Sequence, residues 1–234
     1  MRRTLLISLM AVWSSIAFAD DQKFYGEIAS MELLQSKVVQ TELKVTESQR
    51  TKFNAHATNY NAQTKALQDS AQKGEINKSE FESKVLAAQT TLKAQVLAEL
   101  SSAQIVRLGQ ITLQQAGYIA VMNDQVSARL GLTQTQLKSL KDGWNKLGQD
   151  VAAAEQAVRQ PIIEKYQKLD PKTDEDKKKA RDDFEKEMAA SNEKVQPDLK
   201  RLRKGFEDLV DKTLTAGQKK TWSDLKGPAF KPSK

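Results

Sequence analysis

The side chains that most often perform chemistry in proteins are few and scattered in this sequence. Its 234 residues include one histidine, His56, and no cysteine, so one chain cannot assemble the nitrogen and sulfur ligands of a zinc or copper site. His56 has no obvious acidic partner in the sequence, and a lone helical histidine is far more often a surface or packing residue than a general base. Adjacent acids such as Asp182 and Asp183 point about 100° apart on a helix, and the ten glycines form no phosphate-binding loop. The sequence therefore predicts no enzyme, no cofactor and no metal site.

A repeated five-residue pattern is the most informative feature of the chain. It consists of an aliphatic residue, a hydroxyl residue, two variable residues and a glutamine. Such a pattern starts a helix, because the hydroxyl oxygen accepts a backbone N–H one turn on and the glutamine reaches back to the N–H of the capping residue. Four copies in one chain indicate an internal repeat. The residues assigned to these motifs are Val45, Thr46, Gln49, Leu100, Ser101, Gln104, Leu132, Thr133, Gln136, Leu214, Thr215 and Gln218.

Residues 1–19 have the three parts of an export signal. Two arginines form a basic start, the segment from Leu5 to Phe18 is mostly apolar, and Ala17-Phe18-Ala19 is an A-x-A cleavage site. The alternative is a membrane anchor, but the apolar run is shorter than the roughly 20 residues that span a bilayer. We therefore expect cleavage after Ala19, a mature chain in the periplasm or outside the cell, and no integral membrane segment after cleavage.

The net charge of +7 would by itself suggest nucleic acid or anionic lipid as a partner. Acidic and basic residues are interleaved, however, for example over residues 174–187. This is typical of a solvated helix face with i,i+4 ion pairs. Export also separates the chain from nucleic acid, which is therefore not expected as a partner. Binding of anionic lipid or cell-wall polymer stays open.

Composition and periodicity favour helix almost everywhere, and runs of period-two alternation are missing. Apolar residues recur at steps of three and four from Leu137 to Leu169, from Phe184 to Leu209 and from Phe81 to Val96, as on the buried face of a helix. Helix breakers at Lys73-Gly74 and Asp170-Pro171 lie midway between paired motifs. Each pair of motifs is therefore expected to flank a helical hairpin.

The two hairpins are predicted to be copies of one another. Leu33 to Phe53 aligns with Ala120 to Leu140 without a gap, and a box at Ser79 to Glu82 is expected to start the return arm of the first hairpin. The paired motifs are 55 and 82 residues apart, so 27 extra residues should lengthen the second hairpin.

These patterns together predict an all-α fold of two tandem long αα-hairpins with short helices at their bases, elongated in shape. Residues 1–19 are assigned to the signal peptide, 20–117 to the first hairpin unit, and 118–234 to the second, longer unit.

The repeated motif resembles that of the LTXXQ-motif family of periplasmic proteins, the Spy and CpxP type. Leu214-Thr215-Ala216-Gly217-Gln218-Lys219-Lys220, followed by Trp222, is especially similar to the second motif of that family. Val45 and Ser101 depart from the strict pattern. Because the family normally has two motifs flanking one hairpin, the chain resembles two family units in series.

The resemblance implies an ATP-independent chaperone or an envelope-stress regulator. In Spy-like proteins a thin curved dimer holds unfolded clients on its concave face through basic and apolar contacts. The implied partners are unfolded or misfolded envelope proteins or an envelope sensor protein, together with a second copy of the chain. The alternative is a structural or regulatory helical protein that docks one specific envelope partner without holdase activity. The client-binding residues are not assigned by the sequence.

Overall fold

The computed structural model describes residues 20–231, which contain helices and no strand. The expected export signal over 1–19 lies outside the described residues. Helix α1 is described over residues 20–28. The remaining elements are a 3₁₀ helix (Met31–Gln35), α2 (Lys37–Glu42), α3 (Glu47–Gln72), α4 (Lys78–Ala98), α5 (Ser102–Ala116), a second 3₁₀ helix (Gly117–Met122), α6 (Asp124–Leu130), α7 (Gln134–Gln167), α8 (Asp174–Thr213) and α9 (Ala216–Lys226). The predicted all-α fold is confirmed.

One order of elements occurs twice along the chain. A 3₁₀ helix, a short helix, two long paired helices and a final helix follow each other in both halves. The paired helices have 26 and 21 residues in the first hairpin and 34 and 40 in the second, so the second hairpin is longer by 27 residues in total. Helix α3 packs on α4 and α7 packs on α8. The predicted pair of hairpins of unequal length is therefore confirmed.

The described residues form two compact units. The first comprises residues 20–117 together with 223–231, and the second comprises Tyr118–Trp222. The chain leaves the first unit after Gly117 and returns to it at Ser223. The reason is a set of side chains on α1 and α5 that bind the backbone of the C-terminal segment. One of them is Tyr25, whose hydroxyl donates to the carbonyl of Leu225 at 2.9 Å.

The core of the first unit lies around α5. Leu108, Ile111 and Leu113 on this helix are fully buried. Gly109 allows α1 to approach closely, since a Cβ at this position would lie 2.6 Å from the ring of Tyr25. By contrast, α3 contributes no buried residue and α4 contributes one. The arms of the first hairpin therefore keep their apolar side chains half-exposed.

The second unit has its core between α7 and α8. Leu140 on α7 is fully buried, and α8 buries Ser191, Val195, Leu199, Phe206 and Val210. Both helices continue through an internal proline. Ser191 interrupts the apolar stripe, and its hydroxyl donates to the carbonyl of Met188 at 2.7 Å, which satisfies the buried oxygen.

The start of α4 differs from the prediction. The N-cap is Asn77, whose side chain accepts the N–H of Glu80 at 3.0 Å, while the Glu80 carboxylate accepts the N–H of Asn77 at 2.9 Å. The predicted box from Ser79 to Glu82 is therefore wrong by two residues. Asparagine caps a helix as well as serine does, so two overlapping boxes compete in this stretch and the earlier one forms.

Candidate functional site

All four motifs form reciprocal capping boxes. The hydroxyls of Thr46, Ser101, Thr133 and Thr215 accept the N–H of the glutamine three residues on at 3.2–3.3 Å. Each glutamine Oε1 accepts the N–H of its own capping residue at 2.8–3.0 Å. The aliphatic residues that precede the caps lie inward: Val45, Leu100 and Leu214 are buried and Leu132 is half-buried.

The glutamines of the first two motifs also bind each other. Gln49 Nε2 donates to Gln104 Oε1 at 2.9 Å, and Gln104 Nε2 donates to Gln49 Oε1 at 3.2 Å. The second N–H of each amide reaches a backbone carbonyl, that of Glu99 at 2.8 Å for Gln49 and that of Leu43 at 3.0 Å for Gln104. Both amides therefore use both N–H groups and both lone pairs.

The second unit contains the same network. Gln136 Nε2 donates to Gln218 Oε1 at 2.9 Å, and Gln218 Nε2 donates to Gln136 Oε1 at 3.2 Å. The remaining donors reach the carbonyls of Thr213 at 2.8 Å and Gly131 at 3.1 Å. The motifs thus act in pairs, and each pair joins the two ends of one hairpin at its base.

The sequence predicts that the two caps of each hairpin meet at its base, but sequence reasoning missed the direct hydrogen bonds between their glutamines, although one signal for these bonds is present. Glutamate serves a capping box as well as glutamine does, and Glu80 does so at the start of α4. All four motifs nevertheless have glutamine. Only an amide can accept from its own cap and donate to a partner at the same time, because an ionised carboxylate has no proton to donate.

His56 has an acidic partner, contrary to the prediction. Its Nε2 lies 3.5 Å from the carboxylate of Glu99, which also accepts from Lys52 Nζ at 2.7 Å. The hydrogen bond from Lys52 is the main reason why the pKa of Glu99 is lowered, and His56 contributes in the same direction. The hairpin brings the end of α4 back beside the start of α3. Because His56 and Glu99 are 43 residues apart in the sequence, this contact is not evident from the local sequence.

A groove of 780 Å³ lies in the first unit between the segment Ala29–Gln40 and the hairpin arms α3 and α4. Its volume lies within the range of ordinary ligand-binding clefts. Large apolar side chains in the lining include Met31 on the first 3₁₀ helix, Phe53 and Tyr60 on α3, and Leu92 and Val96 on α4.

Three charged side chains also line the groove: Arg50, Lys93 and Glu32. Arg50 is paired with Glu47 on its own helix at 2.6 Å. Lys93 Nζ donates to the carbonyl of Glu27 at 2.7 Å, and burial lowers the pKa of this lysine against the opposing effect of the Glu27 charge. The groove therefore combines aromatic and aliphatic surface with two cationic groups.

Among residues 20–231, no cluster of three or more acidic or histidine side chains could hold a metal ion. Within the same range, no helix has both the length and the apolar character needed to cross a membrane.

The chain matches no family model, no curated protein and no solved structure. The resemblance to the LTXXQ-motif family therefore rests on the four motifs and their spacing.

Proposed function

We propose that the mature chain is an exported, ATP-independent protein that binds unfolded or misfolded envelope proteins, and that the groove of the first unit is its client-binding site. The observation that supports this proposal is the mixed lining of the groove, in which Phe53, Tyr60 and Leu92 lie near two cations, Arg50 and Lys93. The resemblance to the Spy and CpxP type leads to the same function.

The chemistry of the lining suits a ligand without a defined sequence. Apolar contact is not directional, so exposed aromatic and aliphatic side chains of many clients can occupy the same surface. Met31 adds an adaptable side chain, of the kind found at binding surfaces with many ligands. The stems of Arg50 and Lys93 add apolar area. Because Arg50 is paired with Glu47, its charged end attracts an acidic segment only in exchange for that ion pair.

Export through residues 1–19, which remains part of the proposal, would place the chain among envelope proteins. Binding needs no catalytic group and no cofactor, which agrees with the lone histidine and the absence of cysteine from the sequence.

The proposal is tested by light scattering from an aggregating model client with and without the mature protein. We expect suppression at an equimolar ratio. The variant Leu92→Ala should weaken it, because Leu92 lines the groove. Leu86→Ala is the matched control, since Leu86 lies on the same helix, is 64% exposed and is not part of the groove lining. Circular dichroism of both variants verifies that they remain folded.

Absence of suppression by the wild-type chain would reject holdase activity and favour a protein that docks one specific partner. An equal loss in Leu86→Ala and Leu92→Ala would reject the groove as the client-binding site. A salt series tests whether charge contacts contribute to client binding, since contacts between exposed charges weaken as ionic strength rises.

A further inference from the structure

We propose that α5 forms a second polypeptide-binding site, which recognises the main chain of an extended segment and is occupied here by residues 227–231 of the same chain. We call these residues the tail. The tail follows the end of α9 at Lys226 and belongs to no helix.

Gln114 on α5 makes the central contacts. Its Nε2 donates to the carbonyl of Pro228 at 3.0 Å, and its Oε1 accepts the N–H of Phe230 at 2.7 Å. The same Nε2 also donates to the carbonyl of Lys226 at 2.6 Å. Arg107, two turns earlier on α5, donates from Nη1 to the carbonyl of Pro228 at 2.7 Å.

Every tail atom in these hydrogen bonds belongs to the backbone. The carbonyl of Pro228 and the N–H of Phe230 flank Ala229, and the amide of Gln114 offers a donor to one and an acceptor to the other. When a peptide binds by adding a strand to a sheet, the neighbouring strand also offers its backbone one donor and one acceptor. In that mode the main-chain hydrogen bonds supply affinity regardless of side chains. The arrangement therefore suits an extended segment of variable sequence.

One of the two recognising side chains, Arg107, is also held by a residue outside the tail. The carboxylate of Glu42 accepts from Nε and Nη2 of Arg107 at 2.7 and 2.5 Å, and the arginine side chain is only 17% exposed. Nη1 of Arg107 remains directed at the tail and also contacts Gln110 Oε1 at 3.3 Å. Arg107, Gln110 and Gln114 lie at i, i+3 and i+7 on one helix face. A pre-ordered site loses less entropy when it binds a segment.

Gly227 is the point at which the tail departs from α9. Its φ is +60°, and a Cβ at this position would lie 2.4 Å from the side-chain amide of Gln110. Pro228 follows directly and cannot continue the helix. The tail can therefore leave α5 without unfolding a helix, and a competing segment can take its place. That unfolded envelope proteins supply such segments rests on the proposed function, whereas the site itself does not.

The test uses the full chain and the hexapeptide Lys-Gly-Pro-Ala-Phe-Lys, which corresponds to residues 226–231. The variant Gly227→Val should release the tail, because a β-branched residue is strained at positive φ and its Cβ meets Gln110. We expect faster amide exchange at Phe230 in this variant, since the bond to Gln114 Oε1 is lost. The peptide, labelled with a dye at its N-terminus and followed by fluorescence anisotropy, should then bind at least about tenfold more tightly than to the wild-type chain, where the tail competes at millimolar effective concentration.

Two further substitutions in the Gly227→Val background complete the test. Gln114→Ala should weaken peptide binding at least about tenfold, while Gln115→Ala, at the exposed neighbouring position of α5, should leave it unchanged. Unchanged exchange at Phe230, no binding to the released chain, or equal binding with Gln114→Ala would each overturn the proposal. Peptide binding by a chain that suppresses no client aggregation would support this site and reject the proposed function.

Discussion

At the scale of single residues, the side-chain amides of the motif glutamines join helix starts that are 55 and 82 residues apart. Each amide caps its own helix and also forms hydrogen bonds with the glutamine of the paired motif, so one residue type performs two tasks. Glutamine is required for the second task, since the partner needs both a donor and an acceptor.

The first prediction concerns Gln104→Glu. The new carboxylate can still accept the N–H of Ser101, but it cannot donate to Gln49 Oε1 or to the carbonyl of Leu43. The carbonyl of Leu43 then loses its side-chain donor, and a carboxylate oxygen faces Gln49 Oε1, which should cost about 2 kcal/mol, measured as a lower free energy of unfolding in urea. The control is Glu80→Gln, since Glu80 forms an exposed capping box with no second motif. Equal effects of the two substitutions would contradict the pairing role.

The second prediction concerns the pH dependence of Glu99. The hydrogen bond from Lys52 lowers the pKa of Glu99 below its ordinary value of 4.5. A carboxylate with a lowered folded-state pKa adds stability above its unfolded pKa and loses this contribution as the pH falls through the folded pKa. We therefore expect the Tm difference between wild type and Glu99→Gln to be largest at pH 7 and to shrink below about pH 4.5. Glu82→Gln, at an exposed i,i+4 pair with Lys78, is the control. A Tm difference that stays constant with pH would contradict the assignment.

Part of the candidate site could be predicted at this scale and part could not. The spacing of Thr46 and Gln49 predicts a helix cap, because a cap depends on residues within one turn. The bond between Gln49 and Gln104 depends on where the hairpin returns, and so does the contact of His56 with Glu99. Such contacts over 43 to 55 residues follow from the fold and leave little trace in local sequence.

At the scale of elements, the long hairpins follow from the period of their apolar residues. The stripe from Leu137 to Tyr166 lies in α7, and the stripe from Phe184 to Leu209 lies in α8. Leu169, the last residue of the predicted first stripe, lies beyond the end of α7 and is 48% exposed. The interruption at Ser191 could not be predicted, since its burial depends on an internal hydrogen bond. The start of α4 at Asn77 was equally ambiguous, because two caps compete within two residues.

The third prediction uses two glycines of α7. A Cβ at Gly148 would meet nothing within 4 Å, so Gly148→Ala should stabilise the chain by about 1 kcal/mol through helix propensity. A Cβ at Gly143 would lie 2.2 Å from Leu209 Cδ2. Gly143→Ala should therefore raise the free energy of unfolding by less than Gly148→Ala does, because the side chain of Leu209 has to move. Urea unfolding of both variants measures the difference, and an equal gain at the two positions would contradict close packing between α7 and α8 at Gly143.

At the scale of the whole molecule, the order of elements is repeated, and each unit contains one amide network. The two hairpins differ in their cores. The two arms of the first hairpin bury one residue, whereas the two arms of the second bury six. The half-exposed arms of the first hairpin leave apolar side chains to line a groove, and this supports the proposal that the first unit binds clients. The packing of residues 223–231 with the first unit could not be predicted, because it depends on side chains of α1 and α5 that are more than 100 residues away.

The central claim is that the groove of the first unit binds unfolded polypeptide, and site-specific photo-crosslinking tests it most directly. A benzophenone amino acid is placed at Tyr60, which lines the groove, or at Leu86, which does not. With a permanently unfolded client, we predict crosslinks from position 60 and few from position 86, and none from either position with the same client in its native state. Equal crosslinking from both positions, or crosslinking to the native client, would contradict the claim.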